Sequence, residues 1–396
     1  MTEIIERPAV AGNAVRLHCL DSLRGLAACV VICSHIWLMN SLEFRDAHHG
    51  FPSALTSPLN ALLWGYHKLF AGRASVIMFF VLSGFVLAYS LQKTPMAYVG
   101  YVLKRVFRIY PVFLFIVLAS YALHSLIGIH HITNSDWLDD IVTVDLSLKT
   151  LLKHCLLWGT AGSNKLDGVI WSLVHEMRIS LVFPFLLAAI VRYRWRAVMA
   201  SFALSLACTF WFLHSEGHVA QGYDAINFVR TLVNTAYFIV FFAVGAWLAI
   251  TRERVTQKIA AAPPWLHGLL FVFCLYCFLK AEGDNHTFMG SVVDYFRGLG
   301  SVGIIALALG NQRFQKALEH RIPIWLGRVS YSLYLVHIPI LYALNQTIGA
   351  TWSVAQTALI LFPLSLLAAE ILARTIEFPF IHVGKKLCQK FAAPSA

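Results

Sequence analysis

Charge is scarce in this chain. Asp, Glu, Lys and Arg make up 13% of its 396 residues, about half the roughly 25% usual in soluble domains, which excludes an ordinary water-soluble globule. Acids are scarcer than bases, 20 against 31, for a net charge of +11. The bases form no block of the kind that grips nucleic acid. They stand between apolar runs, where the cytoplasmic loops of membrane proteins carry them. Ordered cysteine spacing is also missing. Cys274 and Cys277 form a CxxC, but inside an apolar run and with no second pair at zinc spacing. They read as small packing residues, and no metal is expected. The first eighteen residues are polar and mixed, without the apolar core of a signal peptide. The first apolar run is therefore expected to act as the insertion signal. No internal repeat, low-complexity segment or second soluble domain is visible.

Hydrophobic residues, by contrast, make up 58% of the chain. Apolar runs of spanning length recur near 20–39, 73–91, 107–127, 168–191, 197–213, 229–250, 265–280, 294–310, 328–346 and 354–374. They predict an all-α polytopic membrane protein with about ten transmembrane helices. Positive charge alternates between the connections. One side carries Lys93, Lys104, Arg105 and Arg108, then Arg192, Arg194 and Arg196, then Lys385 and Lys386. The positive-inside rule puts both termini in the cytoplasm, and an even number of spans agrees. The expected organisation is a cytoplasmic tail over 1–19, a transmembrane domain over 20–380 and a short basic tail over 381–396, in the inner membrane. Residues 40–72 and 128–167 become the long outer connections. Their pairs His48–His49 and His130–His131 lack further ligands at fixed spacing and read as solvated. Lys149 to Trp158 is amphipathic and suits the outer interface.

Polar residues inside a bilayer are expensive, and by default they face a protein interior and mark function. In LDSLRGLAACVVICSHIWLMN, Arg24 and His35 are eleven residues apart. At about 100° per residue they share one helix face, roughly 16 Å apart along the axis. They are either the two ends of a substrate channel, or a boundary arginine beside a core histidine. Ser83–Gly84 in the second run reads as a close-packing point. Arg105 and Arg108, at i and i+3 on the lip of the third run, suit a phosphate clamp but equally serve topology.

Glu176 and Arg178 point to different faces of the fourth run, so each needs a partner on another helix, for function or for a structural ion pair. Arg230 and Arg297 lie near span ends, where snorkelling explains them. His337 is nine residues beyond Arg328, about half a turn away in angle, so the two serve different faces. Glu377 stands at the cytoplasmic end of the last run. It is either solvated or paired with Arg24 or the Arg105/Arg108 couple.

Taken together and in order, LDSLRGLAACVVICSH, FFVLSGFVL, RVFRIYP, WSLVHE with FPFLL, YSLYLVHIP and IEFPF resemble the bacterial membrane acyltransferase family 3. These are integral-membrane O-acyltransferases that modify cell-surface sugars and some secondary metabolites. The resemblance covers residues 20 to about 380. It implies that Arg24 and His35 form the arginine–histidine signature, with His35 the catalytic base, and that Arg105 and Arg108 handle the donor at the cytoplasmic side. It makes Glu176 and Glu377 the recurrent glutamates, Glu377 within the catalytic set. Trp171, Ser83 and His337 become substrate-binding or structural residues. The implied co-substrate is acyl-CoA, most simply acetyl-CoA, with no permanently bound cofactor. The implied acceptor is a hydroxyl of a carbohydrate or lipid-linked glycan, and lipids are the other partners. The chain resembles the stand-alone type without an appended esterase-like domain. Arg178–Ile179 departs from the aromatic text frequent after that glutamate.

Two other classes are open to a membrane protein with buried Arg, His and Glu. A proton-coupled transporter or flippase is usually built from repeats with matching broken helices, which are absent here. A purely structural scaffold gives no reason for a shared Arg24/His35 face.

Overall fold

The computed structural model describes residues 17–38, 71–128, 146–157, 166–215, 224–279, 287–348 and 354–388, and it is helical throughout its regular elements. Helices are what an apolar chain must form in lipid, because each segment then satisfies its own backbone. The first is α1 (His18–Leu38), followed by α2 (Gly72–Lys93), α3 (Tyr98–Ile127) and the short α4 (Leu148–Cys155). Next come α5 (Ile170–Tyr193), α6 (Trp195–Ser215), α7 (Asp224–Ala260) and α8 (Pro264–Leu279). The chain closes with α9 (Phe288–Gly310), α10 (Gln312–Leu318), α11 (Arg321–Ile348), α12 (Val354–Leu372), a π-helical turn (Ala373–Glu377) and α13 (Phe378–Cys388).

Among the described residues, nine helices are long and apolar enough to cross a membrane, and the 16-residue Pro264–Leu279 is a shorter apolar one. All ten expected spans therefore appear as helices. Several run past the apolar core: α3 begins at Tyr98 rather than near 107, and α7 continues to Ala260. Pro111, Pro184, Pro339 and Pro363 sit inside helices, as is tolerated where neighbouring helices cover the freed carbonyls. The amphipathic α4 forms within the expected stretch, capped by the Ser147 hydroxyl on the Thr150 amide. Trp158, His48, His49, His130 and His131 lie outside the described residues.

Two apolar clusters make up the interior. One gathers the start of α1, α2, the later part of α5, α7, α8 and α9, with Phe80, Phe85 and Phe242 fully buried. The other gathers the rest of α1 with α3, the start of α5, α11 and α12. Helices α1 and α5 belong to both, and Phe79 of α2 packs against both. The seam between the clusters is where the polar residues collect.

Glycines set how closely the helices meet. A methyl at Gly25 of α1 would collide with the backbone of Leu326 and Gly327, and one at Gly327 with the backbone of Asp21. Gly84 of α2 and Gly245 of α7 are in the same relation to the backbones of Phe242 and Val81. These are small-residue crossings of the kind that membrane helices use to approach one another. Gly300 of α9 lies against the Cys274 carbonyl, and Cys274 and Cys277 are buried thiols in that contact, as packing requires. At the other end, α13 docks on α3: Gly384 meets Phe107, and the Cys388 thiol reaches the Gly100 carbonyl at 3.1 Å.

Candidate active site

At the end of the bundle where α1 begins, three helices are stapled through one serine. Arg24 of α1 donates to the Ser83 hydroxyl at 3.0 Å, and that hydroxyl donates to Glu176 of α5 at 3.0 Å. Ser83 is thus a relay, while its neighbour Gly84 supplies the close packing. Arg105 and Arg108 stand half-buried on α3, within electrostatic range of Arg24 and Glu176. Glu377 is buried and accepts from Ser332 of α11 at 2.7 Å, with the charges of Arg108 and Arg24 nearby. It is buried rather than solvated, and among the described residues it makes no direct ion pair. The π-helical turn aims it: the Phe378 amide reaches back to the Ala373 carbonyl, and the extra residue rotates Glu377 into the bundle.

Some of these groups line a cavity of about 60 Å³, Arg24, Ser83, Arg108 and Glu176 at one level and Ser172 and Tyr334 at another. That is room for a few water-sized groups. Arg105 does not line the cavity but lies within electrostatic range of Arg108, Glu176 and Arg24. Two guanidinium groups, of Arg24 and Arg108, line it with one carboxyl group, of Glu176, an arrangement suited to an anionic ligand.

Further along the seam, Ser172 of α5 and Tyr334 of α11 share a 2.8 Å hydrogen bond. Ser172 donates its own hydrogen to the Val169 carbonyl at 3.0 Å, so Tyr334 is the donor between them. One turn beyond Tyr334 is His337, fully buried, with ring centroids 6.2 Å apart. Its Nε2 lies 2.8 Å from Nδ1 of His35, and the two rings are within 9° of parallel. The Nδ1 of His337 faces the Leu333 carbonyl at 3.3 Å. That bond assigns its proton to Nδ1 and leaves Nε2 to accept from His35. His35 then presents Nε2 as its basic nitrogen. Arg328 points elsewhere, to Glu370 at 3.3 Å, as the half-turn offset requires. Among the described residues, no three of His, Cys, Asp and Glu converge as metal ligands would.

A second buried charge cluster lies away from the cavity. Asp294 of α9 is fully buried between Arg73 of α2, at 2.6 Å, and Arg297, at 2.8 Å, and it accepts from Tyr237 of α7 at 3.2 Å. Arg297 is therefore not a snorkelling residue. It is 4% exposed, held inside because Asp294, one turn earlier, neutralises it. Arg230 lies over the Phe212 ring at 5.7 Å. Arg178 reaches Thr235 at 3.3 Å and lies over Phe228, whereas Glu176 reaches α2, so the two do serve different faces. Trp171 packs with His175 and Phe238 rather than lining the cavity.

Just before α5, outside the spans, Asp167 is fully buried. One carboxyl oxygen accepts the Val169 amide at 3.2 Å, and among the described residues the other has no partner. Burial pushes this acid up from 3.8 to about 8, so it is protonated near neutrality.

Reasoning from sequence singled out Arg24, His35, Ser83, Glu176, His337 and Glu377 but missed the groups that connect them. Tyr334 was visible, three residues before His337 in YSLYLVH, as a residue on the same stripe. The Asp294–Arg297 spacing was also open to reading. Nothing local pointed to Arg73 or to Ser332.

A multi-pass helical bundle here carries a guanidinium-lined cavity beside α1 and, further along that helix, a histidine pair shared with α11. Its kind is given by comparison: the chain belongs to membrane acyltransferase family 3, whose profile, described as an acyltransferase domain, matches residues 17–374. The chain is also similar to Nodulation protein 10 of Rhizobium leguminosarum bv. viciae, with 24% identity over 336 residues, 82% of this chain and 83% of that protein. No solved structure matches it significantly. All the site residues above fall inside the matched stretch except Glu377, which lies three residues past its end.

Proposed function

We propose that this acyltransferase moves an acyl group, most simply acetyl, from cytoplasmic acyl-CoA to a hydroxyl of a cell-surface carbohydrate or lipid-linked glycan. Its place is the inner membrane. The observation that carries the reading is the division of labour along α1. Arg24 faces the guanidinium-lined cavity, and His35, about 16 Å further along the helix, meets His337.

Arg108, Arg105 and Arg24 hold the donor's phosphates at the cytoplasmic end, where acyl-CoA is made. The pantetheine arm runs up the seam and brings the thioester towards the histidine pair. His35 is the general base, imidazole being a side chain suited to take the proton of an attacking hydroxyl. His337 is its positioning residue, holding Nδ1 and turning Nε2 towards the acceptor. Acyl transfer is direct: the acceptor oxygen attacks the thioester carbon while His35 takes its proton. The carbon–sulfur bond then breaks, and the thiolate leaves and is reprotonated. Glu176 keeps Arg24 in place through Ser83, and Glu377, held by Ser332, adds its charge near Arg108 and Arg24.

The test is mass spectrometry of surface glycans, lipids and secreted metabolites from three strains: gene present, gene deleted, and His35→Ala at matched membrane levels. One acyl mass lost from the same molecule in both altered strains is the expected result. An unchanged acyl profile across all three would remove the reading.

A further inference from the structure

Transfer from a thioester puts negative charge on the carbonyl oxygen, and a donor must meet it there. Arg24, about 16 Å along α1 from His35, is assigned with Arg108 to the donor's phosphates. Five hydroxyls line the cavity, and four are committed. Ser83 donates to the Glu176 carboxylate, Ser330 to the Gly327 carbonyl, Tyr331 to the Ile109 carbonyl and Ser172 to the Val169 carbonyl. Tyr334 alone donates to a neutral hydroxyl, that of Ser172. Exchanging that acceptor for an oxyanion is favourable, since hydrogen bonds to charged acceptors are roughly twice as strong.

Tyr334 also stands where the two halves of the reaction meet. It lines the donor cavity, and its ring is 6.2 Å from that of His337, the partner of His35. A thioester arriving from the cavity and a base acting from the histidine pair place the reacting carbon beside this phenol. Phe79 packs edge-on against the ring at 5.5 Å and fixes its plane.

We propose that the Tyr334 hydroxyl is the oxyanion donor of acyl transfer, with Ser172 as the group that holds it in readiness. The assignment rests on the acyltransferase reading with His35 as base. As the acceptor oxygen bonds to the carbonyl carbon, the π pair moves to the carbonyl oxygen, and the Tyr334 hydrogen bond turns from Ser172 to that oxygen. The acceptor's proton passes to His35. On collapse the C=O re-forms, the carbon–sulfur bond breaks with its pair on sulfur, and the thiolate takes the proton from His35.

The experiment uses the full-length protein in lipid vesicles, radiolabelled acetyl-CoA as donor and the membrane fraction of the deletion strain as acceptor source. Tyr334→Phe is expected to lower the transfer rate about 10²- to 10³-fold, with acetyl-CoA affinity and melting temperature unchanged. Ser172→Ala keeps the phenol and is expected to cost less than about tenfold, because only the resting partner is lost. If Tyr334→Phe keeps its rate while His35→Ala is inactive, the oxyanion assignment is wrong and the transferase reading stands. A loss of rate that tracks lost affinity and a lower melting temperature makes Tyr334 architectural and also overturns it. Full activity in His35→Ala would sink the general-base reading, and this proposal with it.

Discussion

Two buried charge clusters in this molecule use the same kinds of residue to opposite ends. In the Arg73–Asp294–Arg297 cluster, two guanidinium groups and the Tyr237 hydroxyl converge on one fully buried carboxylate. Nothing of that acid is left for a ligand. In the Arg24–Glu176–Glu377 cluster, the carboxyl groups are engaged by serines, Ser83 and Ser332, and the arginines line or approach a cavity. The difference is where the hydrogen bonds are spent. A closed ion pair in lipid locks helices α2, α7 and α9 together. A relay through neutral hydroxyls holds its charges apart, so that guanidinium groups stay available to an anion.

That contrast can be broken most sharply at the histidine pair beyond the open cluster. His35→Ala is expected to reduce acyl transfer by about 10²- to 10⁴-fold while the protein still inserts, measured as transfer rate per unit of folded protein. The closed cluster should answer differently. Asp294→Asn removes the carboxylate that Arg73 and the buried Arg297 share and is expected to cost about 3–5 kcal/mol of stability. It would be read as a fall in melting temperature, with acyl-CoA affinity of the surviving folded protein unchanged.

Arg108→Gln, in the open cluster, is expected to weaken acyl-CoA binding about tenfold or more, the worth of one lost charged hydrogen bond. Thermal stability should barely move. If Arg108→Gln unfolds the protein while Asp294→Asn abolishes donor binding, the two clusters have been assigned the wrong way round.

The last expected effect concerns pH. Asp167 is raised by burial from 3.8 to about 8, so the folded protein holds a proton that the unfolded chain releases earlier. Its contribution to stability is complete below about pH 4 and is lost as pH rises through about 8. Between those limits the slope is at most about 1.4 kcal/mol per pH unit. Asp167→Asn should flatten the fall of melting temperature over that range.

Much of the site could be read from the chain, because its residues lie on helices whose periodicity is regular. Arg24 and His35 share a stripe by arithmetic, and Glu176 and Arg178 diverge by the same arithmetic. Arg297 was misread for an equally local reason. A span-end arginine looks like a snorkelling one unless its partner, here Asp294 one turn earlier, is recognised, and the other cation on that acid, Arg73, is 221 positions away from it. The pairings of His35 with His337, Ser83 with Arg24 and Glu377 with Ser332 likewise join residues with no local signal of contact. Glu377 depended in addition on a π-helical turn, which no periodic reading of the chain predicts.

The sequence alone determined the class of this protein: scarce charge, repeated apolar runs and obligatory backbone satisfaction in lipid leave only a helical bundle. It also determined which helix faces carry polar groups, because a side chain's angle about its own axis follows from its position in the chain. Only the tertiary structure decided which faces meet. Helix association in a membrane turns on close packing at glycines such as Gly25 and Gly84 and on a few buried hydrogen bonds. Those contacts are long-range in sequence. They make Ser83 a relay, Asp294 a lock and Tyr334 the hydroxyl between cavity and histidine pair.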